Sequence, residues 1–167
     1  MAETRGTTEL RRAGVEHTLM RYAYRHGGGA EQAADDLGIE PARMFKSLVA
    51  RAGDDLVFAL VPATSELSLK KLAAAAGVKH AEMADPRDAE RATGYQVGGM
   101  SPLGSRKRLP VYLDESGGEF ERICLNVGGR GQIVELGTLE LVELVGARLE
   151  DLAAAPRCRA YTGCGRG

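Results

Sequence analysis

Cysteine is scarce in this chain and oddly spaced: only Cys124, Cys158 and Cys164 occur. An odd number with no paired CxxC spacing excludes a disulfide framework. With His17, His26 and His80 scattered along the chain, no zinc-binding set forms either, and neither a metal nor a cofactor is expected. Charge of one sign is also lacking. The formal net charge is -1 and the sequence pI about 6.3, so there is no global basic field of the kind a dedicated nucleic-acid binder carries, and any such contact has to be local. Long hydrophobic runs are missing too. No stretch approaches the roughly 20 apolar residues of a membrane span, and the opening MAETRGTTELRRAG has no apolar signal-peptide core. A cytoplasmic protein without membrane contact is the expectation.

What is present suits one globular domain: 167 residues, 44% of them hydrophobic, bury a core without staples. Residues 1–7 are polar and small and are expected to be flexible. A short helix follows with Thr7 or Thr8 as its cap. HTLMRYAYRH, with two tyrosines, predicts a strand. GGGAEQAADDLG enters a helix through three glycines and leaves it at Gly38, and Pro41 opens a further helical turn. FKSLVARAGDDLVFALVPA is a hairpin signature, two apolar runs around Gly53-Asp54-Asp55, with Lys46 at its head. SLKKLAAAAG is a helix capped by Ser68 and stopped by Gly77, and Asp85-Pro86 opens another that runs to Thr93. Strands are predicted in YQVGG, RLPVYLD, FERICLNVG and QIVELG, and helical structure in TLELVELVGARLEDLA. The irregular interleaving predicts an α+β domain over 8–152 with a mixed, mostly antiparallel sheet surrounded by helices. Residues 153–167 lose periodicity and are expected to form a flexible tail.

One stretch stands apart. TGYQVGGMSPLGSRKRLP crowds four glycines, two prolines and a basic triplet between Thr93 and Pro110. Gly98-Gly99-Met100-Ser101-Pro102 has a GxxxP spacing, which on its own marks a tight connection more often than a site. A charge triplet such as Arg106, Lys107 and Arg108 is ordinarily a solvated face, and a lysine at the start of a strand, such as Lys46, an ordinary surface residue.

Read together, LGIEPARMFKSLV, LSLKKLAAAAGVKHAEMADP and TGYQVGGMSPLGSRKRLP with the following GGRGQIVEL resemble the YbaK/EbsC family of aminoacyl-tRNA deacylases, relatives of the editing domain of prolyl-tRNA synthetases. The resemblance runs from Leu37 to Leu136. It implies a sheet curled into a barrel-like core and hydrolysis of the ester between a wrong amino acid and tRNA, Cys-tRNA(Pro) foremost. Residue by residue it puts Lys46 and the loop of Gly98, Gly99, Met100 and Ser101 at the reacting ester. Tyr22, Ser47, Pro102, Asn126 and Gly128 fall near the substrate, and Arg106, Lys107, Arg108 and Arg130 near the tRNA acceptor end. Asn126 stands where the nearest deacylases tend to have serine, Ile133 where some carry an acid, and Ser47 in place of a common threonine.

These residues suit ester cleavage. Rigid backbone N–H groups stabilise a growing oxyanion without reorganising, and glycines permit close approach. Lys46 has three candidate roles: neutralising developing charge, gripping a phosphate, or acting as a base if burial lowers its pKa. No Ser-His-Asp or Cys-His set is visible, and Cys124, in an apolar strand context, is expected to be buried and inert. A cysteinyl ester supplies its own thiol, whose intramolecular attack gains a large effective concentration; attack by water serves other amino acids. Near-neutral charge implies modest tRNA affinity and delivery by prolyl-tRNA synthetase or an elongation factor. Two other functions fit the same residues: a sibling deacylase for another amino acid such as alanine, and a non-catalytic module that binds tRNA ends or a synthetase.

Overall fold

Two apolar runs fold back on each other around Gly53, whose φ of +61° lies in the left-handed region. They form β2 (Met44–Ala52) and β3 (Asp55–Pro62), paired antiparallel from Phe45 opposite Pro62 to Ala52 opposite Asp55. The structure is a computed structural model and describes residues 3–154. Around this hairpin lie β1 (His17–Arg21), β4 (Ala81–Met83), β5 (Val111–Asp114), β6 (Arg122–Asn126), β7 (Gln132–Gly137) and β8 (Arg148–Glu150). The strand order is β1-β7-β6-β2-β3-β5-β8, with β4 added to β2. Pairs β1·β7, β6·β7, β2·β3 and β2·β4 are antiparallel, and β2·β6, β3·β5 and β5·β8 are parallel. This is the mixed α+β sheet anticipated, more antiparallel than parallel. Its path ends at β1 and β8, so the sheet stays open and does not close as a barrel.

Helices α1 (Arg5–Arg12), α2 (Gly29–Leu37), α3 (Leu69–Ala76), α4 (Pro86–Thr93) and α5 (Thr138–Val145) accompany the sheet. Their ends follow the local chemistry. Ser68 Oγ accepts from the Lys71 amide at 3.2 Å and Asp85 Oδ1 from the Arg87 amide at 2.8 Å, while Gly38, Gly77 and Gly94 close α2, α3 and α4 in the left-handed conformation.

Four local expectations are corrected. First, α1 starts earlier than predicted and is capped by Thr4, neither by Thr7 nor by Thr8. Thr4 Oγ1 accepts from the Thr7 amide at 3.0 Å and donates to the Val127 carbonyl at 2.9 Å, so residues 4–7 are anchored to the body of the fold. Second, YQVGG is no strand: the Gly99 amide donates to the Gln96 carbonyl at 2.9 Å and Gly98 has φ +94°, which makes a tight turn. Third, α5 stops at Gly146, φ +66°, and the chain resumes as β8. Fourth, β4 has no forecast in the sequence. The predicted tail at 153–167 falls, from residue 155 on, outside the described residues; Ala153 bridges Leu67 and the Ala154 amide donates to Glu66 O.

Side chains of β2 alternate between two interiors. Phe45 and Val49 pack with Phe58, Leu60, Leu113, Ile123, Leu125 and Leu136, whereas Ala50 and Ala52 join Val57, Ala59, Val61 and Leu72. Each fully buried Leu or Phe contributes about 1.5–3 kcal/mol of transfer free energy, so this strand is firmly fixed. Its outer edge is interrupted, however. There β6 pairs only with Met44 and Phe45, and β4 only with Ala50, Arg51 and Ala52. From Lys46 to Val49 no strand lies on that side, and the sheet has a gap.

Candidate active site

The gap in β2 is the floor of a cavity of about 580 Å³. Which backbone groups face it follows from strand alternation. Met44 O accepts from Ala63 N at 2.7 Å, on the β3 side; main-chain polar groups alternate along a strand, so those of Ser47 point to the gap. Val49 O, on the same side, accepts from Ala84 N at 3.2 Å. The Ser47 hydroxyl oxygen is buried and is the one such side-chain atom among the described residues without a hydrogen-bond partner. A buried hydroxyl left unpaired costs about 1–3 kcal/mol.

Lys46 also lines the cavity. Its side chain is 21% exposed, and Nζ lies 3.6 Å from Glu66, whose side chain is 84% exposed. The lysine is thus largely enclosed while its only ion partner among the described residues sits in solvent.

The opposite wall is the glycine turn, held from behind by the connection between β6 and β7. Three successive carbonyls of the turn accept hydrogen bonds from the end of β6 and that connection: Val97 O from Arg130 Nε at 3.0 Å, Gly98 O from Asn126 Nδ2 at 3.4 Å, and Gly99 O from the Gly129 amide at 3.1 Å. In a planar trans peptide the N–H points opposite to the C=O. The amides of Gly98 and Met100 therefore point away from the connection, and both residues line the cavity. The intervening Gly99 amide is occupied by Gln96 O.

Of the residues singled out from the sequence, Tyr22, Lys46, Ser47, Gly98, Met100 and Asn126 come together at this cavity. Three others stand behind its walls without lining it. Gly99 approaches Gly129 so closely that a Cβ would lie 2.7 Å from its carbonyl carbon. Ser101 is fully buried and its Oγ accepts from the Leu103 amide at 3.1 Å. Gly128, at φ +97°, donates to Asn126 Oδ1 at 2.6 Å and has the Tyr95 ring against its Cα. Pro102 borders a separate small cavity of about 80 Å³ together with Arg108.

The basic triplet is divided. Arg106 and Lys107 line a groove on the far side of α4, and their amides close that helix by donating to Thr93 O and Ala92 O, both at 2.9 Å. Arg51 and Arg91 in the same groove share Asp88, at 3.5 and 3.9 Å. Arg108 turns elsewhere and donates to Leu144 O at 3.0 Å.

Tyr24, Val97 and Met83 also line the cavity, with Val97 and Met83 among the exposed large apolar side chains at 47% and 48%. Sequence reasoning overlooked them. Tyr24 was within reach, because the spacing of two in YAY puts Tyr22 and Tyr24 on one side of an extended chain. Burial, with Tyr24 and Asp36 nearby, raises the Tyr22 phenol above its ordinary value of 10.0, so it is a neutral donor at physiological pH. Cys124, within β6, is fully buried, and burial foremost pushes its thiol up from 9.0 to about 11. It is no nucleophile near neutrality. Among the described residues no group of three or more His, Cys, Asp or Glu is placed to hold a metal ion, and no helix is long and apolar enough to cross a membrane.

An apolar cavity at a break in a mixed sheet, with a lysine on one wall and the outward-turned amides of a glycine turn on the other, has the groups needed to hold a neutral acyl group and to stabilise negative charge that develops on it. The aminoacyl-tRNA editing domain family matches residues 25–144, and the chain belongs to that family. Over 126 residues, 74% of this chain and 76% of the relative, it is 40% identical to the "Putative Cys-tRNA(Pro)/Cys-tRNA(Cys) deacylase EbsC" of Enterococcus faecalis (strain ATCC 700802 / V583). It is 37% identical over 78 residues to the proline–tRNA ligase of Moorella thermoacetica (strain ATCC 39073 / JCM 9320), a match to 47% of this chain and 13% of that enzyme. Among solved structures, the fold is similar to that of "a putative trans-editing enzyme for prolyl tRNA synthetase", with TM-score 0.80 and 25% identity over 93% of this chain and 100% of the other. The hypothetical protein APE2540 shares the fold at TM-score 0.81 and 20% identity, covering 90% and 100% of the two chains.

Proposed function

We propose that this protein is a trans-editing deacylase that removes the amino acid from misacylated tRNA, with Cys-tRNA(Pro) as its substrate. The observation that carries the reading is the meeting of Lys46, Ser47, Gly98 and Met100 around one cavity, with the Ser47 hydroxyl oxygen buried in its wall without a protein partner. A volume of about 580 Å³ lies within the range of small-ligand sites, roughly 300–1,000 Å³. It exceeds what a cysteinyl group needs, which leaves room for the ribose that carries it.

The chemistry follows from these placements. The ester carbonyl oxygen sits between the Gly98 and Met100 amides, and the Lys46 ammonium balances the charge that grows on it. An oxyanion donor of this kind is worth about 3–4 kcal/mol. The Ser47 hydroxyl holds the ribose hydroxyl beside the ester. The substrate's own Sγ attacks the carbonyl carbon: the S–C bond forms, the ester C–O bond breaks, and the thiol proton passes to the departing ribose oxygen. Water then opens the cyclic thioester to free cysteine. Tyr22, neutral, orients the aminoacyl end by donation.

The apolar lining supplied by Met44, Phe45, Val49, Met100 and Ile133 favours a second reading. It accepts a methyl group as readily as a thiol, so an alanyl ester opened by water is the alternative substrate. The acceptor stem meets Arg106 and Lys107 on the far side of α4. Asp54, Asp55 and Asp88 share that groove and keep the attraction modest, which suits delivery by prolyl-tRNA synthetase or an elongation factor in the cytoplasm. Single-turnover deacylation of a panel of cysteinyl, alanyl, seryl and prolyl esters on tRNA(Pro) tests the reading. Cysteinyl cleavage well above the prolyl rate is expected. No cleavage of any ester would leave a binding module instead.

A further inference from the structure

Arg130 closes the turn between β6 and β7 and is exposed, and an exposed arginine beside a tRNA site is ordinarily assigned to a phosphate. Its side chain is already engaged. Nε donates to the Val97 carbonyl at 3.0 Å, and the guanidinium lies over the Tyr24 ring with Cζ 5.0 Å from the centroid. Tyr24 in turn lies against Gly98, where a Cβ would strike the phenol ring. One side chain thus grips the residue before Gly98 and the aromatic ring that abuts Gly98.

The bond to Val97 O has a direct consequence for catalysis, because that carbonyl and the Gly98 N–H belong to the same peptide unit. Fixing the carbonyl fixes the N–H, which points the opposite way. A cationic donor on the oxygen also polarises the peptide and strengthens its N–H as a donor. We propose that Arg130 is a positioning residue that aims and polarises the Gly98 amide through the Val97 carbonyl, with Tyr24 as the platform that holds the guanidinium in plane, and that it does not bind tRNA phosphate. Its effect on rate rests on the deacylase reading above; the mechanical link to Gly98 does not.

The two roles of an arginine separate on substitution by lysine. A phosphate contact survives as a point charge, whereas lysine has no planar group to lie over Tyr24 while donating to Val97 O. Arg130→Ala and Arg130→Lys are therefore both expected to lower single-turnover kcat roughly 10- to 100-fold, the range that misplacing a catalytic group produces, with KM within about twofold and the salt dependence of KM unchanged. In the ligand-free protein both variants should shift the Gly98 amide nitrogen resonance, the signature of losing the bond on the preceding carbonyl. Recovery by lysine, with a raised KM and a salt slope smaller by about one for alanine, would assign Arg130 to phosphate and overturn the proposal. So would a Gly98 resonance unmoved in both variants, or Arg130→Ala deacylating like the wild type. If the wild type cleaves no ester while the Gly98 resonance moves, the positioning link stands and the deacylase reading fails.

Discussion

The Gly129 amide donates to the Gly99 carbonyl at 3.1 Å, and the two backbones approach so closely that a Cβ on Gly99 would lie 2.7 Å from Gly129 C and 2.8 Å from Arg130 N. Gly99 is a glycine because two chain segments touch there, and its φ is not in the positive region. Gly99→Ala must push the glycine turn off the β6–β7 connection. A stability loss of about 1–3 kcal/mol, the usual cost of overpacking, is expected together with a fall in deacylation of at least roughly tenfold. A thermal melt and a single-turnover assay on the same preparation check both. A variant as stable and active as the wild type would show that the turn tolerates displacement.

Lys46→Ala separates charge from fold. The only ion partner of Lys46 among the described residues is the exposed Glu66, and a pair open to solvent on that side is worth about 0–1 kcal/mol, so the melting temperature should fall only by the packing that the enclosed aliphatic stem contributes. Deacylation should drop by roughly 100-fold or more, the scale of losing one oxyanion-stabilising group. Activity near that of the wild type would remove Lys46 from the mechanism.

Ser47→Ala is expected to uncouple stability from activity. Deleting a hydrogen-bonded buried hydroxyl ordinarily costs about 1 kcal/mol, but the Ser47 hydroxyl has no partner to lose. The variant should be as stable as the wild type or more so, with KM for misacylated tRNA raised. A clear loss of stability would mean that the hydroxyl is satisfied within the ligand-free protein.

Asp114 gives a pH dependence. It is 3% exposed. Burial alone would raise its carboxyl, but donation from the Ser116 hydroxyl and from the amides of Leu152, Ala153 and Ser116 outweighs burial and lowers it below the ordinary 3.8. A lowered carboxyl stabilises the fold above its unfolded value, and that stabilisation is lost as pH falls through the lower folded value. Asp114→Asn puts amide hydrogens against donors and should cost about 1–3 kcal/mol at neutral pH. Its stability should also fall less steeply with acid. Melts of both proteins from about pH 6 to about pH 2 check this; parallel curves would mean that Asp114 does not set the acid response.

The sequence was legible wherever one residue decides a local event. Gly38, Gly77, Ser68 and Asp85 marked helix ends because caps are short-range, and the β2–β3 hairpin followed from apolar alternation around Gly53. The glycine stretch was misread as a strand, since Val97 and Tyr95 carry strand propensity while the turn is enforced by Gly98 and by contacts with residues some 30 positions away. For the same reason the site was legible as a set of residues and not as a geometry. That Gly98 and Met100 face the cavity while Gly99 and Gly128 hold its wall depends on the β6–β7 connection, and the gap in β2 depends on how far β4 and β6 reach. No periodicity within β2 reports either.

The central claim is that the substrate's own thiol opens the ester in this cavity. The direct measurement compares single-turnover deacylation of Cys-tRNA(Pro) and Ser-tRNA(Pro), which differ by one atom, with a trap for the cyclic thioester. A hydroxyl is almost wholly un-ionised near neutrality while a cysteine thiol is a few per cent thiolate, and an apolar pocket by itself discriminates such close analogues only by roughly 10- to 200-fold. Cysteinyl cleavage more than roughly 200-fold faster than seryl, with trapped thioester, is the result expected. Equal rates, or faster cleavage of the alanyl ester, would contradict it and make water the nucleophile.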